Sequence, residues 1–165
     1  MQNYWCNLLN ERAINGHPNT ARPIATIAMA ILCISLAVFW YHFPQQVSLS
    51  KSHKRLIQIF GLLSMATILL LSTNHHDLII NLATVFGLIA VVGTFVALNK
   101  LKWAVLFQAG LINIALVALN NILYYGNGLQ FYLPVVQKIT FLYFLIWISA
   151  INLKLLKTMR QLQQI

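Results

Sequence analysis

Leu69–Gly87 reads LLLSTNHHDLIINLATVFG. An apolar run stops, Ser72 to Asp77 are polar throughout, and a second apolar run begins at Leu78. The same alternation recurs along the chain, and it decides the fold class. Working outward from this break, five segments each approach the ~20 mostly apolar residues that a helix needs to cross a bilayer. They cover about residues 23–43, 55–73, 77–98, 103–125 and 131–153. Pro23 suits the first turn of the first segment, and Pro44 closes it. Asn99-Lys100-Leu101-Lys102 and Gly126-Asn127-Gly128 supply the later breaks. The runs lack the two-residue alternation of a membrane barrel. The expectation is therefore all-α: a polytopic transmembrane helix bundle of five spanning helices over 23–153. A polar leader (1–22) precedes it and a basic tail (154–165) follows it. Short gaps make sequential helices antiparallel neighbours.

Composition agrees. Apolar residues make up 59% of the 165-residue chain and charged residues only 8%, which excludes an ordinary soluble domain. The net charge of +9 would point to nucleic acid if the bases formed one patch. They lie instead in the gaps between apolar runs, where membrane topology places them, so no nucleic-acid partner is expected and the bilayer is the first partner. Cys6 and Cys33 fall at different depths, which argues against a bridge between them.

Orientation follows from the bases. Lys51, Lys54, Arg55, Lys100, Lys102, Lys154, Lys157 and Arg160 fall on one side, and Arg12 and Arg22 on the other. The richer side is cytoplasmic, so the C-terminus is inside and the N-terminus outside. Trp40, Tyr41 and Trp103 then sit at the inner boundary, and Tyr124, Tyr125, Phe131 and Tyr132 at the outer one. An uncleaved polar leader on the outer side needs a route across. Translocation of the short tail itself would supply it; a further helix ahead of Met1 is the simpler expectation.

This topology puts His75, His76 and Asp77 at the outer end of a hairpin. Asp77, Asn81 and Thr84 share a face by helical spacing. Asn113, Asn120 and Tyr124 share another, with Asn121 beside it. Lys138 lies about 10 Å down the fifth segment at ~1.5 Å per residue. Glu11 and His17 of the leader fall on the same side. The inner half carries fewer polar groups, chiefly Ser35, Gln58, Gln108 and Ser149. The expected site is thus an outward-facing polar cluster of His75, His76, Asp77, Asn81, Asn120, Asn121, Lys138 and Glu11. Lys138 is expected to approach Asp77 or Glu11, the two acids of the chain.

Each feature has a plainer reading. An ion pair at Lys138 fixes helix register, and buried amides commonly bond between helices. Ala83, Gly87, Gly93 and Ala97 give the third segment small residues for close helix approach. His75 and His76 suit a solvated hairpin tip. Adjacent positions on a helix point ~100° apart, so the two do not easily serve one metal. Zinc would need His75, His76, Asp77 and His17 together, with the leader folded over the tip. No cofactor is called for otherwise. Phosphate-binding Gly-rich loops and hydrolase signatures are absent, and no inverted repeat suggests a transporter.

The leader NYWCNLLNERAINGHPNTARPIATIAMAIL, Asn3–Leu32, resembles the segment after the first helix in bacterial membrane proteins of the domain-of-unknown-function 998 type. Asn3-Tyr4, Leu8 and Pro18 match that pattern. Cys6 and Asn7 replace its usual Ser and Asp, and Pro18-Asn19 reverses its dipeptide. His75 or His76 stands where the pattern has a histidine opening a later outer helix. The resemblance implies a six-helix bundle of which this chain holds five, and no established activity, substrate or cofactor. The missing acid at Asn7 puts any acidic role there in doubt.

The function the residues favour is a multi-pass protein of the bacterial inner (cytoplasmic) membrane. It is read as binding a lipid, small molecule or partner helix through the outer polar cluster, with the residues leaving open whether any reaction is catalysed and favouring none. The alternatives are a metal-dependent lipid hydrolase using His75, His76 and Asp77, and a small transporter subunit.

Overall fold

The fold comes from a computed structural model, which describes residues 8–13, 15–70, 76–126 and 128–162; the side chains of His76, Asp77 and Leu162 lie outside that description. The described residues are helical, with one isolated bridge between Arg12 and Pro18 and no strand among them. The helices are α1 (Arg22–His42), α2 (Lys51–Leu69), α3 (His76–Lys100), α4 (Ala104–Tyr125) and α5 (Leu133–Leu162), with a 3₁₀ turn at Phe43–Gln46 after α1.

Among the described residues, four helical stretches are long and apolar enough to cross a membrane: Arg22–Gln46, Leu78–Lys100, Ala104–Tyr125 and Leu133–Gln161. The sequence predicts five, and α2 is the difference. α2 starts at Lys51 rather than near Arg55, because Ser50 adopts extended backbone (φ −62°, ψ 152°) and accepts a hydrogen bond from the His53 amide, as a helix N-cap does. Its opening turns therefore carry Lys51, Lys54 and Arg55. The apolar part within the described residues runs only from Leu56 to Leu69, about 21 Å at ~1.5 Å per residue, short of the ~30 Å hydrocarbon layer. α5 departs the other way. Lys154–Leu162 holds no Gly or Pro, so the helix runs on through the basic tail to 30 residues.

The chain divides into two compact units at Trp103, one of residues 6–102 and one holding 103–165. In the first, α2 packs against both α1 and α3. Small residues permit it: a Cβ at Gly61 would collide with the Trp40 ring, and one at Gly93 with Ile57. Ala83 and Ala97 of α3 are buried, as the small-residue spacing predicts, and so is Ala90 between them. Trp40 is 2% exposed and meets Phe39 edge-on at 5.0 Å, while Phe39 stacks on Phe43 at 5.1 Å. α2 and α3 run antiparallel: Ile57 lies against Gly93, and one turn and more further on Ser64 lies against Gly87 and donates to Ala83 O at 2.8 Å.

In the second unit α4 packs against α5, also antiparallel. Trp147 Nε1 donates to Leu106 O at 2.7 Å, and Asn120 bonds Thr140 further along. Lys154 Nζ sits 5.0 Å from the centroid of the Trp103 ring, a cation–π contact at the start of α4. At the far end, Leu129 to Leu133 form turns between the two helices, and Gly128 takes the left-handed backbone (φ +78°) that the tight connection requires.

Candidate functional site: a polar seam between α4 and α5

Thr140 is buried (9% exposed), and its hydroxyl donates to Val136 O, one turn back, at 2.8 Å. The same oxygen accepts from Asn120 Nδ2, a close 2.6 Å bond, and Nδ2 also donates to Leu116 O at 2.8 Å. Both donors of the Asn120 amide are thus committed, which fixes the amide's orientation and leaves Oδ1 as acceptor. That Oδ1 is buried and has no donor. Gln137 lies three residues before Thr140, on the same side of α5, and its Oε1 is likewise buried without a donor. Asn113 of α4 is 4% exposed; Nδ2 reaches Ala109 O at 3.4 Å, and Oδ1 is a third buried acceptor with no partner. Asn113 and Asn120 are seven residues apart, about 10 Å along one helix face at ~1.5 Å per residue.

Buried acceptors without donors are costly, and apolar surroundings raise the cost. Three on one pair of helices make an acceptor-rich seam. What complements it chemically is a hydrogen-bond donor: an ammonium, a hydroxyl or water.

The sequence-predicted site residues fall as follows. Asn120 is central to the seam. Asn121, its neighbour, is exposed and bonds only Val117 O at 3.0 Å. Asn81 is exposed on α3. Lys138 is exposed and lies ~160° around the helix from Thr140 at ~100° per residue, away from the seam. Glu11 Oε1 accepts from Arg22 Nη1 at 3.2 Å, an exposed pair within the first unit. His75 lies outside the described residues. His76 and Asp77 begin α3, and their side chains lie outside the description too. The metal grouping and the Lys138–Asp77 approach therefore fall outside the described residues. His17 is exposed, and no cluster of three or more His, Cys, Asp or Glu occurs among the described residues.

The leader has a local structure of its own. Asn19 Nδ2 donates to Leu8 O at 3.0 Å and to Asn10 O at 3.1 Å, and the Asn19 amide bonds Glu11 O. These bonds close residues 8–19 into a loop just ahead of α1. Sequence reasoning passed over Gln137 and Thr140. The signal was their three-residue spacing on one face of α5, opposite the Asn113–Asn120 face of an antiparallel neighbour.

No family model, no curated protein and no solved structure matches this chain.

Proposed function

We propose that this is a multi-pass protein of the bacterial inner membrane that binds the donor-bearing headgroup of a lipid, or a small molecule of like chemistry, at the α4–α5 seam. The observation that carries the reading is the pair of buried, donorless oxygens of Asn120 and Gln137 beside the Asn120–Thr140 bond, with that of Asn113 about two turns away along α4.

In this reading α2 crosses as well, making five spans. Support comes from the first unit. Lys100, at the end of α3, reaches Ser48 just after α1, so α1 and α3 finish at one end. α2 runs antiparallel to both, and it alone among the described helices can return the chain between them. The basic end faces the cytoplasm and the seam's Asn120–Thr140 level faces outward. The likeness to the domain-of-unknown-function 998 proteins fits such an architecture and adds no reaction.

The test compares vesicles of phosphatidylethanolamine, whose ammonium donates, with vesicles of phosphatidylcholine, whose quaternary ammonium does not. Native mass spectrometry is expected to show preferential retention of phosphatidylethanolamine by the unsubstituted protein and its loss in Gln137→Leu. Gln137 Oε1 holds no hydrogen bond inside the protein, so this variant breaks no bond to that oxygen. Equal retention of both lipids, or an unchanged preference in Gln137→Leu, overturns the reading.

A further inference from the structure

We propose that the end of the first unit marked by Ser48 and Lys100 is a binding site for the phosphate of an anionic phospholipid. Five cations belong to it: Lys51, Lys54 and Arg55 on the opening turns of α2, Lys100 closing α3, and Lys102 just beyond. The chain's two acids are elsewhere. Glu11 is paired with Arg22 ahead of α1, and Asp77 lies at the other end of α3 from Lys100. Among the described residues, no carboxylate pairs with the five.

Two of the cations are held in place. Lys54 Nζ donates to Gln45 O at 3.2 Å and Lys100 Nζ to Ser48 O at 3.0 Å. Both carbonyls belong to the short connection between α1 and α2, which is itself anchored: Phe43, Pro44 and Val47 are buried, and Gln58 Nε2 donates to Tyr41 O at 2.8 Å. An ammonium has three N–H groups. Each of these two uses one on a neutral carbonyl, so its charge stays uncompensated and donors remain. Helices α2 and α3 thus fix two ammonium groups over one loop.

The start of α2 adds to this field. A helix N-terminus carries partial positive charge and ordinarily gathers acids. The first turn of α2 has none, and Lys51, Lys54 and Arg55 follow the Ser50 cap instead. Side chains and helix dipole therefore add where they usually cancel. An anion relieves that repulsion, and a phosphate accepts charge-assisted bonds from both fixed ammonium groups.

The bilayer is the source. The membrane-length stretches Arg22–Gln46 and Leu78–Lys100 finish here, which sets the cluster at headgroup depth. Tyr41 stands exposed beside it, as aromatic side chains do at that level. The site does not depend on which membrane face this end occupies, nor on the α4–α5 seam.

The experiment measures the protein's preference for phosphatidylglycerol over phosphatidylcholine in mixed vesicles. The expected result is a loss of roughly tenfold in Lys54→Gln/Lys100→Gln, retention in Lys54→Arg/Lys100→Arg, and little change in Lys154→Gln/Lys157→Gln, which removes equal charge elsewhere. Inorganic phosphate at millimolar concentration is expected not to displace the lipid. Equal loss in both Gln pairs would mean diffuse attraction of a basic protein and overturns the site, as does displacement by free phosphate. If Lys54→Gln/Lys100→Gln fails to fold, failure of the Arg pair to keep the preference is the overturning result.

Discussion

Asn120 shows how much one side chain settles in an apolar setting. Its Nδ2 ties α4 to α5 through Thr140, and its Oδ1 is left buried without a donor. A double-mutant cycle of Asn120→Ala and Thr140→Ala is expected to return a coupling of about 0.6 kcal/mol and at most ~1.7 kcal/mol, the range for hydrogen bonds between membrane helices. Reversible unfolding in mixed micelles measures it, and zero coupling would mean the bond adds nothing to the seam. Glycine contacts make a second residue-level prediction. Gly61→Ala drives a Cβ into the Trp40 ring, which is 2% exposed and has nowhere to move. Overpacking of this kind costs ~1–3 kcal/mol, so the unfolding midpoint falls. Gly87→Ala meets only Ser64 Oγ at 3.1 Å and is expected to cost less. At this scale the sequence was readable in part. The small residues of α3 announce close packing, and reading Asn120 as a hydrogen bond between helices agrees with its bond to Thr140. Lys138 drew attention because a charge inside an apolar run is conspicuous. Gln137 beside it did not, because neutral amides carry no such flag and only packing reveals which of their atoms lack partners.

Among the elements, α2 concentrates the tension between local and global demands. Its Ser50 cap sets the start, and that start pulls Lys51, Lys54 and Arg55 into the helix. Ser50→Ala is expected to cost ~1 kcal/mol and to loosen the connection to α1, read as faster proteolysis between residues 43 and 50. The sequence pattern placed the beginning of this helix at the apolar run. Hydropathy locates the lipid-facing part of a helix, and the hydrogen-bonding cap at Ser50, five residues before Arg55, is invisible to it. The same reason explains α5. Its apolar run ends near Leu153, but Lys154 to Leu162 include no helix breaker, and the helix continues to about 45 Å at ~1.5 Å per residue, against a ~30 Å hydrocarbon layer. Amide hydrogen exchange is expected to be slow up to the Lys154–Trp103 contact and to quicken beyond it. Uniform protection to Leu162 would place the whole helix in a dry setting.

For the whole molecule, the number of crossings and the direction of the chain are one question. α1 and α3 end together at Ser48 and Lys100; if both cross the bilayer, the chain must come back in between. If α2 makes that return, a cysteine placed at Ser48 and one at Lys102 react with a membrane-impermeant maleimide from one side, and one at Asn74 reacts from the other. Gly128→Cys labels with Asn74→Cys. On the proposed topology, with eight Lys and Arg against two, the Ser48 and Lys102 side is expected to be the cytoplasmic one. Should Asn74 label together with Ser48, α2 would lie along the membrane surface. α3 would then have to carry Lys100 to the opposite face from Ser48, breaking the 3.0 Å bond between them. Labelling therefore tests more than topology: the antiparallel packing of α2 on α3, the shared end of α1 and α3, and the five-span reading stand or fall on the same four cysteines.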